Sequence, residues 1–370
     1  MRMTGALIVS LVMVTLLGAC ATKPTEPAVL NFGMDESKET RRMMWPPTQD
    51  AEVPRYLYAG QLTGEANFQA AKKEEGASVG GVLRWLVGLI AGEDVPVVLQ
   101  RPQAGVVDEA GRILVTDTSR QAVFVFDKKA GKLDVWEQAA GLTRFVAPAG
   151  IVLGMEGDVY VADAELGYVV RLNRAGEAVG RIGKGQLHRP VGVAYDAARR
   201  QLYVTDTYAH DIKVFDISAQ PDGTLSRVLG KRGEAPGEFN FPTYLALAGG
   251  ELYVTDTMNS RVQVLDAETG AAKRQVGQRG LYVGNLVRPK GVAVDNEGNL
   301  YVVESYYDHL LVYNRRGEFL MAIGGTGTDI GKFFLPAGVW TDAQNRIFVA
   351  DMFNGRVVLF QFLGGGAEGG

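Results

Sequence analysis

Short apolar runs closed by an acid recur six times along this chain. They are Ile113-Leu114-Val115-Thr116-Asp117, Val159-Tyr160-Val161-Ala162-Asp163, Leu202-Tyr203-Val204-Thr205-Asp206, Leu252-Tyr253-Val254-Thr255-Asp256, Leu300-Tyr301-Val302-Val303-Glu304 and Ile347-Phe348-Val349-Ala350-Asp351. β-Branched and aromatic residues dominate them, which fits strands better than helices. A polar or aromatic loop follows each acid, and then a second apolar run such as Val123-Phe124-Val125-Phe126 or Val357-Val358-Leu359-Phe360. A third strand precedes each run and opens at a proline: Pro102, Pro148, Pro190, Pro242, Pro289 and Pro336. From proline to acid the spacing is 15, 15, 16, 14, 15 and 15 residues. A repeat of roughly 45 residues with this punctuation predicts an array of four-stranded units.

Two irregularities predict how the array ends. Val53-Pro54-Arg55-Tyr56-Leu57-Tyr58-Ala59-Gly60-Gln61-Leu62-Thr63-Gly64 resembles the last strand of a repeat, although it stands before the first one. The sixth repeat stops early, after Phe360-Gln361-Phe362, and only a Gly-rich tail follows. The early strand is therefore expected to complete the last unit and close a circle, because an open ring would leave sheet edges exposed. Between that strand and the first full repeat lies an insertion over 65–99. Within it Val82, Leu83, Trp85, Leu86, Val87, Leu89 and Ile90 predict a short helix with a broad apolar face.

The punctuation resembles NHL repeats, which read Pro-x-Gly-Val-Ala-Val-Asp, then Leu-Tyr-Val-x-Asp, then Asn-x-Arg-Val-x-Val. Asn259-Ser260-Arg261 and Asn354-Gly355-Arg356 match the last motif closely, whereas Ala122, Tyr168, Asp211 and His309 stand where the other repeats would carry the arginine. The resemblance implies an all-β, six-bladed propeller over residues 53–362. The Trp45-Pro46-Pro47 segment, the early strand and the insertion are also similar to a subgroup of bacterial NHL lipoproteins.

Composition refines this picture at the N-terminus. Met1-Arg2-Met3 and the apolar run Ala6 to Leu17 read as a signal peptide, too short to span a membrane convincingly. Leu17-Gly18-Ala19-Cys20 resembles a bacterial lipobox, and Cys20 is the only cysteine of the 370 residues, so no disulfide competes for it. Residues 1–20 are thus expected to be a lipoprotein signal peptide, 21–52 an extended tether marked by Pro24, Pro27, Pro46 and Pro47, and 363–370 a tail. Lipidation at Cys20 places the protein in the cell envelope, at the outer membrane if the host has two, since Ala21 rather than Asp follows the cysteine. A net charge of −4 argues against a nucleic-acid partner.

Candidate chemistry gathers on one face. In a propeller the proline loops and the loops after the acids share an end. The second residue after each acid is Ser119, Glu165, Tyr208, Met258, Tyr306 or Phe353, with Tyr307 adjoining, while Arg101, Arg189, Arg288 and Lys290 flank the prolines. Aromatic residues, Met and Arg on exposed loops are what binding surfaces favour. The expected function is a membrane-anchored scaffold that binds an extracytoplasmic protein, peptide or glycan, with no cofactor. The six acids are read as capping groups for loop amides or partners of the loop Arg, not as a metal ring. The alternative is a propeller enzyme, a lyase or lactonase-like hydrolase with a metal in or near the channel. Amidating lyases among NHL propellers hold zinc through histidines, some of them just after the repeat proline. Here those positions are Gln103, Ala149, Val191, Thr243, Lys290 and Ala337, and the chain has only His188, His210 and His309 as imidazole ligands.

Overall fold

The computed structural model describes residues 28–33, 43–47, 53–69 and 96–364. Cys20, the helix expected over 82–90 and the tail beyond 364 lie outside them. Six antiparallel sheets form a six-bladed β-propeller. The first blade runs outward from Pro102–Val107 through Ile113–Asp117 and Ala122–Asp127 to Lys132–Trp136. Blades two to five repeat the order, with innermost strands Pro148–Leu153, Pro190–Asp196, Pro242–Ala248 and Pro289–Val294. The innermost strand of the sixth is Val339–Thr341. These six strands pack against one another around the axis, the last beside the first.

Burial explains the sequence pattern. The second and third strands of each blade are covered on both faces by neighbouring blades, so Val159–Asp163 is buried at every position and reads as a continuous apolar run. The outermost strands meet a neighbour on one face only, and Thr224–Leu229 alternates between exposed and shielded positions.

The early strand closes the ring. Tyr56–Leu62 pairs antiparallel with Arg356–Phe362, Phe362 opposite Tyr56 and Val358 opposite Gln61. Tyr56 is fully buried there, edge-on to Tyr301 at 6.1 Å, with the two hydroxyls 3.2 Å apart. Gly60 sits at φ +129, where a β-carbon would lie 2.4 Å from the Phe32 carbonyl oxygen, so only glycine fits.

Two stretches inside the segment read from sequence as a tether are strands against the propeller. Met44–Trp45 adds a fifth strand to the sixth blade, and Trp45 packs edge-on to Phe360 at 5.3 Å. Val29–Leu30 pairs with Phe68–Gln69. Asn67 ties this corner together: fully buried, it accepts hydrogen bonds from the Thr63 and Gly64 amides and donates to the Asn31 and Gln61 carbonyls. Among the described residues no helix is long and apolar enough to cross a membrane.

Candidate functional site

The six closing acids set the geometry of one end of the propeller. All are buried, and each carboxylate accepts backbone N–H donors from the loop that enters its blade. Asp117 receives the Gln100 and Arg101 amides at 2.6 and 2.9 Å, and also the Arg120 amide of the following loop at 2.9 Å. Asp163 binds the Val146, Ala147, Glu165 and Leu166 amides in the same way. Glu304 takes those of Val287, Arg288 and Tyr306. The proline loop and the post-acid loop of each of these blades are thus stitched through one carboxylate.

Three acids also pair with a buried cation. Arg261 Nε lies 2.8 Å from Asp256, and Arg356 Nε 2.8 Å from Asp351. The third blade lacks the repeat arginine, and Lys213 replaces it, its Nζ 2.8 Å from Asp206. Burial alone would raise the Asp206 carboxyl, but Lys213 and the Arg189 and His188 amides hold it below the usual range. Glu304, without a bonded cation, is pushed up by burial despite its three amides.

The loop residues read from sequence as a binding face stand clear of the blades. Tyr208 and Tyr306 are each 59% exposed, Met258 48% and Phe353 45%. Arg189 lies over the Tyr208 ring at 5.2 Å and Arg101 over the Phe353 ring at 5.1 Å. Tyr307, half-buried, meets Tyr306 edge-on at 4.9 Å. Glu165 is ion-paired to Arg189. Between the fourth and fifth blades, Met258, Arg279, Leu281, Arg288 and Tyr306 line a groove of about 450 Å³. Sequence reasoning missed part of this surface. Leu281, Tyr282 and Val283 are exposed in the loop that enters the fifth blade. An apolar trio between Gly280 and Gly284 was the available signal.

Lys290 lies at the inner edge of that face. It is half-buried at the mouth of the central channel, in a chamber of about 200 Å³ whose polar lining includes Gln103, Thr118, Arg189 and Thr243. The chamber's floor is Tyr244. In the register two residues after the repeat proline, four blades carry Gly150, Gly192, Gly291 and Gly338, and the first carries Ala104; Tyr244 is the exception. Its ring crosses the axis, and its hydroxyl comes within 3.4 Å of the Gln103 carbonyl of the opposite blade. The same apolar cluster holds Tyr244 together with Ala104 and Ile151 of the first two blades and Val292 of the fifth. Below Tyr244 a second chamber of about 230 Å³ is lined from all six innermost strands, with Tyr195 and Trp340 among its walls.

The three histidines do not converge. His188 Nδ1 is 3.2 Å from Asp206 at the surface. Buried His210 packs edge-on to Phe241 at 4.5 Å, and its Nδ1 accepts the Phe241 N–H. His309 is half-buried, and burial lowers its pKa. Among the described residues no three His, Cys, Asp or Glu side chains are grouped closely enough to hold a metal ion.

With the blades and the loop stitching in place, comparison with known proteins settles the repeat type. Residues 187–215 and 239–265 match the NHL repeat. The propeller is built of NHL-type repeats. NHL repeat-containing protein 2 of Bos taurus is 32% identical over 156 residues, 34% of this chain and 21% of that protein. Protein brain tumor of Drosophila melanogaster is 34% identical over 143 residues, 38% of this chain and 13% of that one. Peptidyl-glycine alpha-amidating monooxygenase A of Xenopus laevis is 27% identical over 169 residues, covering 42% of the chain and 17% of the relative. The chain thus spans about a fifth or less of the length of these relatives. Among solved structures, a gluconolactonase from Xanthomonas campestris superposes with a TM-score of 0.53 at 16% identity, over 82% of this chain and 98% of that one. An auxiliary nutrient binding protein from Bacteroides thetaiotaomicron gives 0.56 at 12% identity, over 71% and 69%. At these identities the likeness is one of fold.

Proposed function

We propose that this NHL propeller is an envelope-anchored scaffold that captures an extracytoplasmic partner on its loop face. The observation that carries this reading is the exposed set Tyr208, Met258, Tyr306 and Phe353 on loops that buried carboxylates hold in place. Large aromatic and thioether side chains beside arginines supply most of the energy of protein interfaces. Loops already ordered before contact lose little entropy on binding. The apolar content favours a protein or peptide over a glycan as the occupant. Anchoring rests on Leu17-Gly18-Ala19-Cys20, whose cysteine would carry the acyl chains.

Capture after crosslinking in intact cells tests the face. The triple substitution Tyr208→Ala, Tyr306→Ala, Phe353→Ala should fold normally and lose the captured partner, because all three side chains are largely exposed. Unchanged capture by the folded triple variant would sink the proposal. The anchor has its own check: Cys20→Ser should stop incorporation of a palmitate label and release the protein from the membrane fraction.

Among the described residues no arrangement favours a lyase- or lactonase-like activity. No histidine follows a repeat proline, and the three present lie apart, each in separate contacts. Metal analysis of the purified protein is the direct measure; stoichiometric zinc or calcium would revive that alternative.

A further inference from the structure

The cations of this end fall into two classes. Lys213, Arg261 and Arg356 are buried and each is bonded to the closing acid of its own blade. Lys290 has no such arrangement. In its blade the oxygens of Glu304 are occupied by the Val287, Arg288 and Tyr306 amides, and the Lys290 amine makes no hydrogen bond or ion pair with any described residue. Half-buried and without a protein partner, this amine is left available to an anion that enters the channel mouth.

The surroundings say what kind. No carboxylate lines the chamber. Its polar groups are the Gln103 amide, the Thr118 and Thr243 hydroxyls and the Arg189 guanidinium, and the rest of the wall is alanine, valine and the Tyr244 ring. Arg189 already pairs with Glu165 at the rim, which leaves Lys290 as the uncompensated charge inside. The chamber, of about 200 Å³ and open at its mouth, admits a small organic ion. Alanine walls and an aromatic floor suit a short carbon skeleton rather than a fully hydrated inorganic anion.

We infer that the upper chamber binds a small free carboxylate, its oxygens on the Lys290 amine and its carbon skeleton against Tyr244 and the alanines. This site adjoins the loop face, with Arg189 common to both, but the inference does not depend on the partner proposed there. Burial, with Arg288 nearby, lowers the Lys290 pKa below the ordinary lysine range, and a bound carboxylate would offset that cost.

Calorimetric titration of the full chain with acetate, lactate, acetamide and inorganic phosphate, at constant ionic strength, tests the inference. Lactate or acetate should bind, acetamide should not, and Lys290→Met should weaken carboxylate binding at least tenfold. Lys290→Arg should retain part of the affinity. The thermal midpoint of Lys290→Met should equal or exceed that of the parent, so loss of binding would not reflect misfolding. Absence of carboxylate binding, equal binding of acetamide, binding of phosphate alone, or undiminished affinity in Lys290→Met would each overturn it. Loss of partner capture on the loop face would leave this result untouched, and the reverse also holds.

Discussion

Asp206 and Lys213 show how a single position is repaired when a repeat motif decays. The third blade carries Asp211 where two others carry the arginine that meets the closing acid. Lys213 lies two residues further along the same strand, on the same face, and reaches the same carboxylate. From the sequence the loss of the arginine was plain, but the replacement was not, because a consensus is read position by position whereas a strand offers every second side chain to one side. Both charges are buried, so removing one leaves the other unpaired. Lys213→Met should cost about 3–5 kcal/mol in urea denaturation at neutral pH. The acid side of the profile follows from the lowered Asp206 pKa. An acid whose folded pKa is depressed contributes stability that is present above its unfolded value, near 3.8, and is lost as pH falls through the folded value. The gap between parent and Lys213→Met should therefore narrow below about pH 4. A gap that stayed constant to pH 2 would mean that the cost does not come from the Asp206 charge.

At the scale of strands, the closing strand was legible for two reasons. It has the glycine-punctuated character of a last strand, and the sixth repeat lacks one. The two-residue strands Val29–Leu30 and Met44–Trp45 were not legible, since two residues carry no period and their pairing depends on surfaces the fold creates. Tyr56 is the anchor of the closing strand, and Tyr56→Ala should cost about 3–5 kcal/mol, comparable to truncating a buried aromatic ring elsewhere. Deletion of residues 53–62 should do more than destabilise. It bares the edge of Arg356–Phe362, and size-exclusion chromatography should then show self-association through that edge. A monomeric deletion product with an unchanged melting temperature would contradict the pairing.

For the molecule as a whole, the axial plug is the feature that repeat logic hides. A consensus treats Tyr244 as one of two departures from glycine among the six blades, the other being Ala104, and only the ring brings that departure to the centre. The proline register alone would have exposed it, had the six copies been compared two residues on. The plug should act by filling space rather than by bonding, because its hydroxyl makes only a 3.4 Å contact. Tyr244→Phe should change stability by less than about 1 kcal/mol, whereas Tyr244→Ala should cost about 3–5 kcal/mol. Equal losses in the two variants would shift the weight to the hydroxyl. The stitched loop face is legible in part: the acids and their capping role could be read from spacing, while Leu281, Tyr282 and Lys290 required the three-dimensional arrangement to be sorted between rim and channel.

Because Gln61 is paired with Val358, the chain cannot finish folding in the order in which it is made. The opening strand must wait for the final repeat before it has a neighbour, and nearly the whole polypeptide is a loop that has to be gathered in between. A chain cut short after the fifth blade would then be left with an unmated start as well as a missing end. Damage near the C-terminus should in this way be felt throughout the ring, with partial products recognised as unfinished rather than tolerated as shorter versions.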